Sequence, residues 1–320
     1  MATSDPYIGR REAIGIGIEA TPGTAVAPQT WLRWLDQNLQ NKANVVENES
    51  ALGVVDRVED SAVSYTWAEG SIGGKITVDS MGFLLLGFFG SVSTGAAVSG
   101  VYPHTFTMDQ SSLPKTLTFA RSSPLASQRF AYGVVDSLEI TAETDQYVQV
   151  VAAVKARAGA SSSETVALTT QEEFLSKHVT LKVAANTAGL AAATKIDASR
   201  VQVVLERTSE VFNPLGSDNA PVFDRGVYEA RGEFVVRMTD TQYETDFLAG
   251  TRKALSIDIT SNAKGVNFVG SKVRYRELES NRDRDGIVTA TVQFFFEFDT
   301  AVNTALATIL KSTLATYASV

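Results

Sequence analysis

Three sets of residues have types and spacings that could support binding or catalysis, and the first lies near the N-terminus. Gly15-Ile-Gly-Ile-Glu-Ala20 fits the glycine spacing of a dinucleotide-binding turn, with alanine at the last position. That turn requires a helix to begin at the same place, because the helix N-terminus holds the pyrophosphate. Pro22 and Gly23 argue against such a helix. The stretch is therefore predicted to be a glycine-spaced edge strand, and no cofactor is expected.

The second stretch, Asn281-Arg-Asp-Arg-Asp-Gly286, begins like a calcium-binding loop. Oxygen ligands occupy its first, third and fifth positions and glycine the sixth, but the twelfth position should hold a bidentate glutamate. That position is Val292, in the middle of an alternating segment. We therefore interpret the stretch as the connection of a β-hairpin between residues 268–278 and 287–299.

The remaining candidates for chemistry are histidines, a few carboxylates and three tryptophans, and they form no catalytic pattern. The chain has no cysteine, no Gly-x-Ser-x-Gly turn and only His104 and His178 as histidines. Trp31, Trp34 and Trp67 could stack on a sugar ring, although tryptophans in β proteins more often anchor a core or an interface. The chain is therefore predicted not to be an enzyme and not to hold a metal.

Composition excludes several classes of partner. The 320 residues carry a formal net charge of −8, and their lysines and arginines are scattered among acids, which argues against a surface that grips nucleic acid. The longest apolar run, 83–89, is too short to cross a bilayer as a helix, so no membrane partner is expected. The first residues lack a charged leader followed by an apolar stretch, so synthesis and assembly in the cytoplasm are expected.

The elements that would position any site are two copies of one pattern, in which an alternating strand runs into a short apolar helix that ends in glycine. The first copy spans residues 69–79 and 80–90, and the second spans 226–240 and 241–250. Apolar residues or glycine occupy the even positions of each strand and mostly polar residues occupy the odd ones. Since successive strand residues face opposite sides, each strand should have one core face and one polar face.

Alternation also predicts a chain that is mainly β. Candidate strands lie at 63–79, 102–108, 115–121, 126–142, 145–157, 178–184, 200–208, 226–240, 254–261, 268–278 and 287–299. Leu306, Ile309, Leu310, Leu314 and Tyr317 follow helical spacing, which predicts a C-terminal amphipathic helix over 302–317. We expect an antiparallel β-sandwich or half-barrel with long hairpins, short flanking helices and this C-terminal helix.

The expected organisation is a single domain, residues 1–320. Its predicted regions are an N-terminal arm and long loop at 1–62, a first β half at 63–158, an inserted hairpin or loop at 159–199, a second β half at 200–300 and the C-terminal helix at 301–320. Loops as long as 38–62 usually have a function of their own.

The order of these elements resembles a known family. It consists of a glycine-rich N-terminal strand, a long polar loop, Trp67-Ala-Glu-Gly-Ser-Ile-Gly-Gly-Lys-Ile-Thr-Val-Asp79 with the Phe83-Leu-Leu-Leu-Gly87 helix, and later Tyr132-Gly-Val-Val-Asp-Ser-Leu-Glu-Ile-Thr141 and Glu229-Ala-Arg-Gly-Glu-Phe-Val-Val236. This arrangement resembles the tail tube (major tail) proteins of long-tailed, non-contractile bacteriophages, the siphophages, over most of residues 13–300.

The resemblance implies a structural virion protein of the phage tail whose copies form stacked hexameric rings around a DNA channel lined by a continuous β-barrel. It implies the same chain as main partner, with the tape measure, terminator and tip proteins, and transient, non-specific passage of DNA. Lumen-strand and self-assembly candidates are Glu69, Lys75, Asp79, Glu229, Arg231, Glu233 and Arg237. Candidates for contact with a neighbouring ring are Asn44, Glu47, Glu49, Asp56 and Arg57.

Independent physical reasons support self-association, because long two-faced strands leave edge groups unpaired and a closed ring of copies removes those edges. Two alternatives stay open at this point. One is a head decoration or tail-terminator protein, which would form a single ring or bind the capsid. The other is a carbohydrate-binding β-sandwich, suggested by the three tryptophans and the abundant carboxylates.

Overall fold

The chain folds mainly into antiparallel strands, as the alternation predicts. The computed structural model describes residues 6–111, 113, 115–216, 221–282 and 284–318. The strands of the first half are β1 Ala13–Ile18, β2 Thr30–Leu32, β3 Trp34–Gln37, β4 Gln40–Asn48, β5 Asp60–Lys75, β6 Gly90–Thr94, β7 Tyr102–Met108, β8 Leu117–Ser122, β9 Ser127–Glu143, β10 Gln149–Arg157 and β11 Ala160–Ser162. Those of the second half are β12 Val179–Ala184, β13 Lys195–Ile196, β14 Ala198–Glu206, β15 Ser209–Phe212, β16 Val222–Arg225, β17 Glu229–Arg237, β18 Arg252–Ser261, β19 Lys264–Asn281, β20 Thr289–Phe296 and β21 Ala307–Ser312.

Both predicted strand–helix units are present. Helix α1, Val78–Phe89, follows β5, and helix α2, Gln242–Leu248, follows β17. Helix α1 ends at Gly90, whose φ of 86° lies in the left-handed region that closes helices. Nearly every residue of α1 is buried, as expected for a helix that is apolar on all sides and packs inside the protein.

The central sheet is built from long antiparallel pairs. Its order is β4, β5, β10, β9, β14, β17, β20 and β19, with β3 beside the end of β5 and β18 beside the first part of β19. One face of this sheet packs on the core through residues such as Leu138, Val203, Phe234 and Val292. The sheet is open, since its two outermost strands do not pair with each other.

Strand β9 belongs to two sheets. Its second part pairs with β10 and β14 in the central sheet, whereas its first part pairs with β8 and β11. The transition lies near a break in register with β10 and near Tyr132, which has a positive φ of 55°. The second sheet, β2–β1–β8–β9, folds over α1 and closes the core.

The N-terminal region differs from the predicted arm and edge strand. Strand β1 pairs with β2 on one side and β8 on the other, and Ile14, Ile16 and Ile18 are fully buried. Glu19 is buried as well, and its carboxylate accepts hydrogen bonds from the Tyr132 N–H at 2.8 Å, the Thr118 hydroxyl at 2.8 Å and the Gly23 N–H at 2.7 Å. The glycine-rich motif is thus part of the core, where no helix follows it.

The predicted loop at 38–62 is also wrong in part. Residues 40–48 form strand β4, which pairs with the first part of β5 to make a long hairpin closed by residues 49–59. The sequence of β4 shows no apolar alternation because both of its faces are largely exposed.

The C-terminal helix predicted over 302–317 is not formed. The segment contains β21, which pairs with β7 on one side and β19 on the other, and it buries Thr308, Leu310 and Ser312. Asn303 has a positive φ of 54°, which is incompatible with a helix, and the β-branched Thr308 and Ile309 favour a strand. The spacing of Leu306, Leu310 and Leu314 therefore results from burial of one face of β21 and of the extended residues on either side of it, not from a helix.

Within the segment predicted as an inserted hairpin or loop, β12 and β13 form a hairpin, and β12 also extends the main sheet through β18. A second hairpin, β15–β16, which we call the flap, covers one end of the central sheet. It packs Val211, Val222 and Phe223 against Trp67, Tyr132 and Val134. The buried Arg225 fastens the flap by donating to the carbonyl oxygens of Gly87, Phe88 and Val135 at the end of α1 and in β9.

Candidate assembly surfaces

The polar face of the central sheet is the most extensive candidate surface. Strand register places residues of six neighbouring strands in one row: Lys75, Gln149, Thr141, Gln202, Glu233 and Gln293. These side chains lie opposite the core-facing residues of the same strands, and they are half-buried or exposed. The flap covers one end of this face. Over the rest of it, no helix of the described residues packs against the sheet.

Carboxylates on this face are bridged by arginines. Arg200 contacts Glu143 at 3.2 Å and Glu233 at 2.9 Å, so one guanidinium is shared by two acids on neighbouring strands. Arg231 contacts Glu206 on the neighbouring β14 at 2.8 Å and Glu229 on its own strand at 3.5 Å. Each of these two arginines is therefore paired with two carboxylates, which reduces its capacity to bind another anion such as a phosphate group.

Six of the seven predicted lumen-strand residues share this face. Glu229, Arg231, Glu233 and Arg237 lie on β17, and unbroken pairing of β5 with β10 places Glu69 and Lys75 on the same side. Asp79 does not join them, because β5 ends at Lys75 and Asp79 lies in the first turn of α1. Its carboxylate accepts hydrogen bonds from the N–H and hydroxyl of Thr313, so it holds the C-terminal segment.

Lys75 and Glu69 also have partners within the chain. Lys75 donates to Glu173 at 2.9 Å and lies over the Tyr147 ring at 3.7 Å, so the end of β5 is joined to the segment before β12. Glu69 accepts a hydrogen bond from the indole N–H of Trp67 at 3.1 Å. Arg237 is exposed at the end of β17, beside a cavity of about 900 Å³ that Tyr243 and Tyr275 also line.

Sequence reasoning missed the residues that complete this face. Glu139, Glu143, Arg200, Gln202 and Glu206 lie on β9 and β14, between β17 and β10. Both segments were predicted as strands, so their alternation could have indicated these residues. Which strands would lie beside them could not be read from local pattern.

The predicted inter-ring residues all lie in the β4–β5 hairpin. Asn44 and Glu47 are on β4, whereas Glu49, Asp56 and Arg57 are in the connection. Arg57 and Glu49 form an exposed ion pair at 2.6 Å. The hairpin also exposes many apolar side chains, namely Val45, Val46, Leu52, Val54, Val55, Val58 and Val63.

Several strand edges lack a partner in the part of the chain that the structure describes, and two of them lie at the two ends of the strand order of the central sheet. Strand β4 pairs with β5 alone, and residues 275–281 of β19 pair with β20 on one side only, because pairing with β18 stops at Arg274. Unpaired N–H and C=O groups in a row form a template for another strand. These edges are therefore candidate contacts between copies.

The other chemistry considered from sequence finds little support in the geometry. Trp31 is buried, and the partly buried Trp34 donates its indole N–H to the Glu12 carbonyl oxygen at 3.1 Å, so neither ring forms an open sugar platform. Among the described residues, no cluster of three or more histidine, aspartate and glutamate side chains could hold a metal ion. Asn281-Gly286 connects β19 to β20 as predicted, although Asp283 lies outside the described residues.

No helix among the described residues is long and apolar enough to cross a membrane. Comparison with curated proteins finds no match to this chain. Comparison with protein-family models gives a match over residues 9–294, to the family described as "Phage tail tube protein".

Proposed function

The chain belongs to the phage tail tube protein family, and we propose that its copies close into hexameric rings that stack into the hollow tube of a long, non-contractile tail. Family membership makes it a structural, non-enzymatic component of the virion tail. In the proposed assembly, DNA passes through the bore. The tape measure protein occupies the bore before ejection, and terminator and tip proteins bind the ends of the tube.

The observation that carries the ring proposal is the open central sheet. It has one buried face, one polar face and unpaired edges at β4 and at residues 275–281 of β19. Two different edges on identical chains make a head-to-tail contact, and such contacts close into rings when the rotation between copies fits. Pairing of these edges with neighbouring copies would remove the unsatisfied main-chain groups.

We propose that the polar face lines the bore. Its acids include Glu139, Glu143, Glu206, Glu229 and Glu233, and the last four hold Arg200 and Arg231 in ion pairs. Phosphate binding depends on accessible lysines and arginines, so a lining in which Arg200 and Arg231 are already paired should let a duplex slide. Glu69, Lys75 and Arg237 belong to this lining in the proposal, and the residues of the β4–β5 hairpin contact a neighbouring copy.

Electron microscopy of the purified chain at increasing concentration tests the ring. Rings with six-fold symmetry or tubes of stacked rings are expected. A chain that stays monomeric at every concentration, in both images and sedimentation, would overturn the proposal.

Proline variants test the β19 edge. Glu279→Pro and Ser280→Pro are made in parallel, because successive N–H groups of a strand point to opposite sides and only one of the two is needed by β20. The variant that keeps the melting temperature of the wild type is expected to lose ring formation. If that variant forms rings as the wild type does, the β19 edge is not the contact.

A further inference from the structure

A groove at one end of the molecule has an apolar surface that the fold leaves open. It encloses about 1010 Å³ between β7, the start of β17 and the segment from Phe296 to β21. Phe106, Phe296 and Leu306 form its buried floor, while its rim exposes Val227 to 90% and Phe298 to 52%. We call this surface the end groove. Its volume is at the upper limit of ordinary ligand clefts, about 300–1,000 Å³, so it has room for several side chains.

The end groove carries positive charge that no carboxylate neutralises directly. Arg207 donates to the carbonyl oxygens of Asp109, Ser111 and Gly226, and Arg225 also donates to carbonyl oxygens. Neither arginine forms an ion pair with a described carboxylate. Asp109 is the one acid among the described lining residues. An apolar segment with acidic flanks would therefore fit the groove best.

The β4–β5 hairpin is a segment with those properties. Its connection exposes Leu52, Val54 and Val55, and the Val55 side chain is completely exposed. Acids outnumber bases along residues 40–60, where Glu47, Glu49, Asp56, Glu59 and Asp60 accompany Lys42 and Arg57. Strand β4 has nine residues, a length of about 30 Å at roughly 3.3 Å per residue, so the hairpin can extend onto another molecule.

Register places the hairpin and the end groove at the same end of the central sheet but on different sides. Pairing proceeds from Ser71 through Ala153, Ser137 and Glu206 to Glu229. The hairpin continues beyond Ser71 in the direction in which Tyr228 and Val227 continue beyond Glu229. Strands β10, β9 and β14 separate the two surfaces. Copies in one ring share an orientation, so equivalent ends lie side by side, whereas stacked rings bring opposite ends together.

We propose that the hairpin of one copy docks in the end groove of the next copy within the same ring. The contact buries the exposed valines against the apolar rim and places the acidic flanks over the buried Arg207 and Arg225, whose positive charge attracts them from beneath the surface. It rests on the proposed function, because it requires that copies assemble side by side. Since the two surfaces differ, each copy gives one hairpin and receives one, and the contact can close around a ring.

Engineered disulfides test this docking directly, because the chain contains no cysteine of its own. Val55→Cys combined with Val302→Cys places one thiol on the hairpin and one on the groove rim. After oxidation of the assembled protein, we expect a ladder of covalent oligomers on a non-reducing gel. The matched control combines Val55→Cys with Thr194→Cys, which lies beside the cavity at the opposite end of the sheet. It should give no ladder.

The outcomes separate this inference from the proposed function. Rings seen by electron microscopy with no Val55–Val302 ladder would overturn the docking and leave the ring intact. A ladder from the Val55–Thr194 pair instead would assign the hairpin to a contact between stacked rings and would also overturn the docking. A wild-type chain that never assembles would overturn both proposals.

A charged variant gives a second measurement. Val55→Asp should raise the concentration needed for ring formation at least tenfold, since it places a charge in the apolar contact. Leu125→Asp is the matched control, because Leu125 is exposed on the turn between β8 and β9 and belongs to neither the β4–β5 hairpin nor the lining of the end groove. Both variants should melt as monomers like the wild type. Equal assembly of the two variants would contradict the docking.

Discussion

At the scale of single residues, the fold depends on a few buried polar groups whose hydrogen bonds are satisfied. His104 is completely buried on β7. Its ring nitrogens lie 2.9 Å from the Thr94 hydroxyl, 3.0 Å from the Leu314 carbonyl oxygen and 3.1 Å from the Ser312 hydroxyl. The ring also packs against Tyr317, with centroids 4.7 Å apart. This one imidazole therefore joins the C-terminal segment to the sheet.

Acid should weaken this junction. Burial lowers the pKa of His104 below its ordinary value of 6.5, although the Leu314 carbonyl and the Asp79 carboxylate oppose the shift. As the pH falls through 6.5, the unfolded chain binds a proton that the folded chain does not, so the free energy of unfolding decreases. We expect His104→Gln, which can still form hydrogen bonds, to lose less stability between about pH 7.5 and about pH 5.5. Thermal melting at each pH measures this, and parallel profiles for the two proteins would contradict it.

At the scale of elements, helix α1 shows how a glycine can be fixed by packing rather than by backbone conformation. A Cβ atom on Gly82 would lie 2.1 Å from Cζ of Tyr317 and 2.4 Å from its Cε1. The Tyr317 ring packs edge-on against Phe83, and its hydroxyl donates to the Asp79 carbonyl oxygen at 3.0 Å. The helix therefore holds the end of the chain through a position where any side chain would displace it.

Gly82→Ala should destabilise the protein, although alanine favours a helix over glycine by about 1 kcal/mol. Displacement of the Tyr317 ring should outweigh that gain and leave a net loss of about 2 kcal/mol. The matched control is the same change in a Tyr317→Ala background, where the clash is absent and the change should be neutral or stabilising. Denaturant unfolding of the four proteins gives the coupling energy. A more stable Gly82→Ala single variant would contradict the packing argument.

Strands could be predicted from the sequence where apolar and polar residues alternate, because that alternation occurs when one face of a strand is buried and the other is exposed. Strands β17 and β20 alternate between buried and less buried positions, and the predicted bounds of both, like those of β9, lie within three residues of the observed ends. Strand β4 was missed because it is exposed on both faces, and β21 was taken for a helix because Leu306 and Leu310 fit either period. The dual role of β9 depends on a register break with β10 that no local pattern reveals.

The same limit applies to the polar face. The alternation of β17 identified Glu229, Arg231, Glu233 and Arg237, but their partners Arg200 and Glu206 lie on β14. That strand becomes a neighbour only through tertiary pairing. The charge on one strand could be predicted, whereas its neutralisation across strands could not.

At the scale of the whole molecule, the pairing of charges on the polar face decides how the proposed bore would treat DNA. Arg200 and Arg231 are each held by two acids, so the face offers few free cations despite its many charged groups. Affinity for a duplex depends on the number of phosphates that lysine and arginine neutralise. We therefore expect assembled wild-type protein to retain no DNA at physiological salt.

Removal of the acids that hold Arg200 should change this behaviour. Glu143→Gln combined with Glu233→Gln leaves that guanidinium unpaired, so we expect weak DNA binding whose logarithm falls with the logarithm of salt concentration by about 0.9 for each phosphate contacted. Fluorescence anisotropy of a labelled duplex measures it. Glu47→Gln combined with Glu59→Gln makes the same change in net charge on the hairpin. Equal binding by the two variants would show that total charge, not the pairing, is responsible.

The valines of the β4–β5 hairpin have a consequence for the free chain before assembly. Until a neighbour covers them, only the surrounding carboxylates and the net charge of −8 keep the molecules apart. Near the isoelectric point of about 5.0 the net charge approaches zero and the repulsion vanishes, while the apolar tip of the hairpin stays exposed to solvent. Mildly acidic storage should therefore turn clear solutions of unassembled chain cloudy, and trimming residues 50–58 to a short turn should keep them clear.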